Sequence, residues 1–262
     1  MNRFGHYIEK YLVREKGILR KFYARIIGYT HIGGYIRFLY VKNLLKRISF
    51  KRVLDVGCGD GSFSFYLARK YPTIKIDSFD ISKDKIAKCQ AILNELTFKN
   101  IEFFCKDLRE ISYCNEHDLV LMIDVLEHIP INDSHLVIKK LFEAIKPGGY
   151  LLLHLPIQKT KRIFNESLFK KAAMDVQETH KDNLWDTHKI MLLLTNNGFV
   201  LKTVRNTFGF LGKFLWEIDK IIYENTKAIY IIVFPLLKIS CWVESYLHYK
   251  QGNGILILAM KV

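Results

Sequence analysis

Three glycines at alternate positions, Gly57, Gly59 and Gly61, form the stretch of this sequence best suited to hold a small molecule. They follow the short apolar run Val53–Val56 and precede a helical pattern. Glycine lets the backbone approach a ligand closely because it carries no Cβ atom, and a following helix points unpaired N–H groups toward the same place. The pattern therefore predicts a ligand-binding turn between a strand and a helix.

Two carboxylates accompany these glycines and help to indicate which ligand the turn holds. Asp55 precedes Gly57, and Asp60 lies within the turn. A dinucleotide site has the spacing Gly-x-Gly-x-x-Gly and places a pyrophosphate at the helix N-terminus. The glycine spacing here is different, and two carboxylates repel a diphosphate but attract a ligand that carries sulfonium and ammonium groups. The turn therefore favours a cationic nucleoside over a dinucleotide.

Further carboxylates stand where the next three predicted strands end. Asp80 ends the second strand, Asp107 follows the third, and Asp124 ends the fourth. In a doubly wound sheet these strand ends meet at one edge, and a carboxylate at Asp80 would accept hydrogen bonds from both hydroxyls of a ribose. Any one of these residues is equally well explained as a turn or helix-cap residue. Their recurrence on successive strands beside the glycine turn favours a shared binding site.

The sequence resembles the class I S-adenosylmethionine-dependent methyltransferases over about residues 51–206. The segments that carry the resemblance are VLDVGCGDG at 53–61, the strand end at Asp80, KDL at 106–108, DVLEHIP at 124–130 and KPGGYLLL at 146–153. The resemblance implies an α/β fold with a doubly wound, mostly parallel, seven-stranded Rossmann-like sheet, and S-adenosyl-L-methionine as the cofactor. The cofactor-binding residues that it implies are Asp55, Gly57, Cys58, Gly59 and Gly61 at the methionyl portion, Asp80 at the ribose, Ile81, Asp107 and Leu108 at the adenine, and Asp124 and Val125 beside the methyl group.

The resemblance also implies methyl transfer, which requires nucleophile, carbon and sulfur to be held in line. A hydroxyl nucleophile benefits from a general base, and histidine suits that role at neutral pH. The candidates are His128, His154 and His180, and for each a structural hydrogen bond or plain exposure is the alternative explanation. No metal site is predicted, because no cluster of His, Asp or Glu has a convincing ligand spacing.

Strand and helix patterns alternate from residue 51 onward, as is typical of a doubly wound sheet. The Lys-Pro-Gly-Gly segment at 146–149 predicts the end of a helix and the start of a strand. The predicted strands are 52–57, 74–80, 101–106, 118–124, 149–155, 199–206 and 254–262, and the predicted helices are 61–70, 83–98, 133–146 and 186–196.

Residues 1–50 form a basic helical segment that precedes the predicted methyltransferase domain. Apolar side chains recur every three or four positions over 3–27 and predict a helix with Lys and Arg on its other face. Gly33-Gly34 predicts a turn, and 35–48 predicts a second basic helix. Three interpretations stay open: a lid over the active site, a helix lying on anionic lipid, and an ordinary packed helix with a solvated basic face.

The predicted methyltransferase domain, 51–262, contains an insertion at about 207–252 before its last strand. The insertion includes the apolar run 228–237, which is too short for a membrane span of about 20 residues. We expect a helical pair packed over the sheet edge or the mouth of the active site. A surface that receives an apolar substrate or touches a bilayer is the alternative.

The net charge of +14 is concentrated in residues 1–52, which carry +11. A basic segment of this kind could grip phosphates, so an RNA methyltransferase is one alternative function, and a non-catalytic cofactor-binding protein is another. The segment Asp124–His128 instead resembles the small-molecule branch, which favours O-methylation of a small-molecule, saccharide or lipid-linked acceptor. Five scattered cysteines predict reduced thiols and a cytoplasmic location, with peripheral attachment to the inner face of the membrane as a further possibility.

Overall fold

The computed structural model describes residues 31–96, 98–157, 162–169, 185–225 and 227–262. The helix predicted over 3–27 and the candidate His180 lie outside these residues. The helices are α1 Ile32–Leu45, α2 Ser62–Lys70, α3 Lys83–Glu95, α4 Ile131–Ala144, α5 Thr187–Asn196, α6 Phe210–Asn225 and α7 Lys227–Glu244. The strands are β1 Arg52–Val56, β2 Lys75–Asp80, β3 Ile101–Cys105, β4 His117–Ile123, β5 Ile145–Pro156, β6 Phe199–Thr207 and β7 Gly254–Lys261.

The described strands form one seven-stranded sheet in the order β3-β2-β1-β4-β5-β7-β6. All neighbouring pairs from β3 to β5 are parallel, and β7 runs antiparallel to both β5 and β6. The strand order reverses between β1 and β4, so the carboxyl ends of these two strands border the crevice where doubly wound sheets bind ligands. The predicted fold, a mostly parallel doubly wound sheet, is confirmed.

Each face of the sheet carries its own hydrophobic core. Side chains alternate along β4, where Leu119 and Leu121 join one core while Val120 and Met122 join the other. Helices α1, α2, α3, α6 and α7 contribute to the first core, and α4 and α5 contribute to the second. The central strands are apolar on both faces because helices cover them on both sides.

The turn predicted at Gly33-Gly34 is wrong, because both glycines lie in the first turn of α1. His31 caps this helix, and its Nδ1 accepts a hydrogen bond from the Gly34 amide at 2.9 Å. A Cβ atom on Gly33 would lie 2.8 Å from Cδ1 of Trp216 on α6. Glycine is required there because α1 and α6 approach closely, which local sequence does not reveal.

Helix α1 is embedded in the first core although it precedes residue 50. Its buried residues are Ile32, Gly33, Ile36, Phe38, Leu39, Tyr40, Val41, Leu44 and Leu45. The helix packs against both α6 and α7. The division of the chain at residue 50 stays a prediction, and α1 on its N-terminal side shares a core with the sheet.

The insertion before β7 forms the helical pair α6 and α7, as expected. The two helices pack against each other and against α1. Among the described residues, none of the helices is long and apolar enough to cross a membrane.

Most predicted element boundaries agree with the structure to within three residues, and β5 differs most. The Lys-Pro-Gly-Gly segment does end α4, but it already belongs to β5, since Ile145 pairs with His117. Gly148 has φ +79°. It lies beside the register shift between the Ile145–His117 pair and the next pair, Leu119 and Tyr150. The five cysteines are free thiols, and those at positions 89 and 241 are buried.

Candidate active site

The glycine turn at the end of β1 adopts a left-handed backbone. Gly57, Gly59 and Gly61 have φ values of +65°, +56° and +74°. Residues that carry a Cβ atom rarely adopt such values. A Cβ on Gly57 would also lie 2.4 Å from a methyl group of Val125, whereas one on Gly59 would meet only the Gly57 carbonyl oxygen, at 4.0 Å. The turn thus packs tightly against the segment after β4 at Gly57, which is the glycine of the turn that lines the cleft described below.

Asp80, at the end of β2, holds the glycine turn in place through two backbone hydrogen bonds. Its carboxylate accepts from the amides of Gly59 and Ser82, each at 2.9 Å. Lys85 Nζ lies 3.9 Å away on the first turn of α3. A carboxylate has about four acceptor positions, so Asp80 retains capacity for the two hydroxyls of a ribose.

Asp55 lies beneath the turn and is buried. It accepts a hydrogen bond from the Ser64 hydroxyl, which in turn accepts one from Ser78 at 2.9 Å. Burial raises the pKa of Asp55 to about 7, against the lowering effect of Ser64, and the charge of Asp80 adds to the rise. Asp55 therefore ties β1 to the start of α2 and, through Ser64, to β2. Burial likewise raises the pKa of the Cys58 thiol far above its usual range.

The glycine turn and the strand ends border a cleft of about 460 Å³. Ile81 is 68% exposed at its rim and offers an apolar surface to a flat ring. Asp107 caps a short 3₁₀ turn, and its hydrogen bonds with the side chain and backbone of Arg109 lower its pKa. The predicted residues that line the cleft are Gly57, Asp80, Ile81, Asp107, Leu108, Asp124, Val125 and His128.

Asp124, at the end of β4, is held from two sides. It forms an ion pair with Arg37 of α1, and its Oδ1 lies 2.5 Å from Nδ1 of His154. Its backbone is left-handed, with φ +53°, a conformation that aspartate tolerates better than most residues. Burial alone would raise the pKa of Asp124, but the charges of Arg37 and His154 lower it below the usual range. The carboxylate is therefore ionised and fixed at the cleft.

His154 is buried, and both of its ring nitrogens have protein partners. Nδ1 faces Asp124, and Nε2 lies 3.1 Å from the Thr207 hydroxyl at the end of β6. Both ring nitrogens are therefore already engaged by polar groups of the protein. This geometry favours His154 as a positioning residue for Asp124 over the general-base role predicted for it, which stays a prediction. His128, by contrast, is exposed at the cleft beside Asp124.

Glu127 is a buried carboxyl group next to this cluster that the sequence did not single out. It is 5% exposed, and its Oε2 has no hydrogen-bond partner among the described residues. Burial raises its pKa to about 8, and the negative charge of Asp124 contributes to the rise, whereas Arg37 opposes it. Glu127 is therefore mostly protonated at neutral pH.

Replacing Glu127 by glutamine is expected to stabilise the protein relative to the wild type by about 3 kcal/mol more at pH 8.5 than at pH 5.5. Between the unfolded pKa of 4.5 and the folded value of about 8, the folded state retains a proton that the unfolded state releases. The free energy of unfolding of the wild type therefore falls as pH rises through this window, and that of the variant does not. Urea unfolding at pH 5.5 and pH 8.5 measures the difference. Parallel pH profiles for the two proteins would contradict the prediction.

The structure adds Arg37, Glu127 and Thr207 to the predicted site. Arg37 and Thr207 come from α1 and the end of β6, outside every motif quoted above, so no local spacing marks them. Of the three, only Glu127 lies within a quoted motif, and the sequence does not show that its side chain is buried. The described residues contain no group of three or more His, Cys, Asp or Glu side chains arranged to hold a metal ion.

The chain belongs to a methyltransferase domain family, whose model it matches over residues 49–225. It is 33% identical over 126 residues to a ubiquinone biosynthesis O-methyltransferase of Haemophilus ducreyi. That match covers 47% of this chain and 52% of that protein. It is also 30% identical over 100 residues to a malonyl-[acyl-carrier protein] O-methyltransferase of Priestia megaterium. That match covers 38% of this chain and 35% of the relative. The matches thus span about a third to a half of these curated relatives.

The fold is shared with solved methyltransferase structures. Phosphoethanolamine N-methyltransferase 2 of Haemonchus contortus superimposes with a TM-score of 0.63 at 18% identity, covering 97% of this chain and 60% of that one. The resemblance to class I S-adenosylmethionine-dependent methyltransferases is therefore confirmed at the level of family and fold.

Proposed function

We propose that this protein is an S-adenosylmethionine-dependent methyltransferase that methylates an oxygen of a small-molecule or lipid-linked acceptor. The observation that carries the proposal is the convergence of the glycine turn, Asp80, Asp107 and Asp124 on one cleft. Relatives named as O-methyltransferases support oxygen as the acceptor atom, and relatives named as N-methyltransferases make nitrogen the alternative. The Haemonchus structure contains S-adenosylhomocysteine, which supports the cofactor.

The cleft residues fit this cofactor on chemical grounds. Asp80 offers acceptor positions to the ribose, exposed Ile81 offers an apolar surface to the adenine, and Asp124 offers a fixed negative charge to the cationic methionyl end. S-adenosylmethionine supplies a methyl group on positively charged sulfur, and the protein holds the acceptor in line with it.

His128 is the side chain that we propose to receive the acceptor proton. It is exposed at the cleft beside Asp124. The neutral imidazole would accept the hydroxyl proton of the acceptor as that oxygen takes the methyl group that bound S-adenosylmethionine would supply. Asp124 favours the resulting imidazolium electrostatically.

Replacing His128 by alanine is expected to lower kcat by about 100-fold or more, the usual contribution of a general base. The Kd for S-adenosylhomocysteine should change less than threefold, because the proposed role concerns the acceptor. The equally exposed His135 on α4 provides a matched control, since His135→Ala should leave both constants near their wild-type values. Unchanged turnover in His128→Ala would remove His128 from the mechanism.

The experiment that tests the function has two steps. Calorimetry with S-adenosylhomocysteine measures cofactor binding, and a labelled methyl donor is then incubated with fractions of a cell extract to find the acceptor. Label in a small molecule or lipid fraction is expected. Label in RNA would favour the nucleic-acid alternative, and binding without any transfer would favour a non-catalytic protein.

A further inference from the structure

Helix α7 exposes an apolar face on the side that does not pack against the described part of the chain. Its inner side chains Phe234 and Cys241 are fully buried in the first core. Three large side chains on the other side are more than 60% exposed: Ile232 at 73%, Leu236 at 62% and Ile239 at 65%. The face, which we call the apolar face, consists of Ile229, Ile232, Leu236, Ile239, Trp242 and Tyr246.

The spacing of these residues gives one continuous surface. They follow one another at intervals of three or four, which aligns them along one side of a helix. Isolated exposed apolar residues are common, but a contiguous stripe marks an interaction surface. The apolar face is therefore a candidate interaction surface.

The apolar face carries no exposed negative charge. Glu244 is the only acidic residue between 227 and 253, and it is fully buried. Its carboxylate accepts hydrogen bonds from the hydroxyls of Tyr40 at 2.7 Å and Tyr249 at 2.6 Å. The charge of Glu244 is thus held inside the protein and does not oppose an anionic partner.

Cationic side chains lie near the C-terminal end of α7. The end of α1 lies beside the end of α7, where Asn43 Nδ2 is 3.3 Å from Ser245 Oγ. Lys46 and Arg47 follow Asn43 and are exposed, and Lys250 is exposed after α7. These cationic side chains therefore complement an anionic surface. They would repel a second copy of this chain, whose net charge is +14.

Aromatic residues occupy the same end of the apolar face. Trp242 is 56% exposed and Tyr246 is 52% exposed, and their ring centroids are 5.1 Å apart. Tryptophan and tyrosine are enriched where an apolar phase meets water, because their rings combine an apolar body with a polar group.

We propose that α7 lies in the plane of an anionic lipid bilayer, with the apolar face among the acyl chains and Lys46, Arg47 and Lys250 at the headgroups. A surface helix of this kind combines apolar insertion with attraction to anionic lipids. The proposal concerns attachment alone and holds whichever molecule the enzyme methylates.

The test uses the full chain and co-sedimentation with vesicles of phosphatidylcholine, either alone or with about one-third phosphatidylglycerol. The wild type should partition at least about tenfold more strongly to the anionic vesicles. The double variant Ile232→Glu with Leu236→Glu should lose about tenfold or more of that binding, because it places charge in the apolar phase. Wild-type binding by this variant, or no preference for anionic vesicles, would overturn the proposal.

A matched control places the same two charges elsewhere. Leu136 on α4 and Leu192 on α5 are 44% and 46% exposed and belong to helices on the opposite face of the sheet. The variant Leu136→Glu with Leu192→Glu should bind vesicles like the wild type. Thermal unfolding of both double variants shows whether each remains folded. Loss of vesicle binding in the folded control would contradict attachment through α7.

A second measurement identifies the occupant directly. A photo-crosslinking amino acid in place of Ile232 should capture lipid when the full chain is bound to anionic vesicles. Capture of a second copy, or of a peptide from residues 1–30, would overturn the proposal in favour of a dimer or an intramolecular contact. Trp242 emission should shift to shorter wavelength on binding, and the shift should vanish in Trp242→Phe.

Discussion

Replacing Asp80 by alanine is expected to weaken the binding of S-adenosylhomocysteine about 100-fold. The Asp80 carboxylate is 6% exposed, lies at the cleft and has spare acceptor positions beyond its two backbone partners. Hydrogen bonds to a charged group contribute about 1.5 kcal/mol or more each, so losing two ribose contacts amounts to about 3 kcal/mol. The substitution also leaves the amides of Gly59 and Ser82 without their partner, which loosens the glycine turn. Isothermal titration calorimetry measures the change.

Asp84 provides the control for this experiment because it is exposed in the first turn of α3, close in sequence to Asp80 but outside the cleft lining. Asp84→Ala should keep the affinity within threefold of the wild type. Thermal unfolding separates lost binding from lost folding. A folded Asp80→Ala variant with unchanged affinity would show that the nucleoside is held elsewhere.

The part of the cleft formed by the glycine turn and Asp80 is predictable from sequence because each of its elements is local. A glycine turn after a strand requires left-handed backbone, and the carboxylates stand directly at strand ends, so residue type and position suffice. Parallel pairing then brings the ends of β1, β2 and β4 to one edge of the sheet. The strand topology alone therefore predicts that the glycine turn and these carboxylates share one cleft.

The cluster around Asp124 depends on tertiary contacts that local patterns do not contain. Arg37 reaches Asp124 only because α1 packs in the first core, and that packing requires Gly33 to fit against Trp216. A glycine pair predicts a turn because each glycine in a helix interior is less favourable than alanine by about 1 kcal/mol. Close helix packing outweighs that preference here, and sequence alone carries no sign of it.

Replacing Arg37 by methionine is expected to lower kcat about 100-fold and the free energy of unfolding by about 2 kcal/mol at pH 7. Removing one partner of a fully buried ion pair costs about 3–5 kcal/mol, and this pair is partly exposed, so a smaller loss is expected. Misplacement of a group beside the reacting atoms by about 1 Å can cost about 100-fold in rate. Steady-state kinetics and urea unfolding measure the two effects.

The dependence on pH distinguishes this ion pair from a general packing defect. Arg37 lowers the pKa of Asp124, so the pair stabilises the folded state above the unfolded pKa of 3.8. That stabilisation is lost as pH falls through the lower folded value, because protonation removes the charge that Arg37 neutralises. The difference in unfolding free energy between the wild type and Arg37→Met should therefore be largest near neutral pH and shrink below pH 4.

A double-mutant cycle with Asp124→Asn isolates the interaction between the two side chains. If the pair accounts for the loss, Arg37→Met should cost much less in the Asp124→Asn background than in the wild type. Arg37→Lys should restore part of the stability but less of the turnover, because an ammonium keeps the charge without the fixed geometry of the guanidinium. Equal costs in both backgrounds would show that Arg37 acts through packing and not through Asp124. A cycle with strong coupling would make α1 part of the active site, since it would then supply the cation that fixes the carboxylate beside the transferred methyl group.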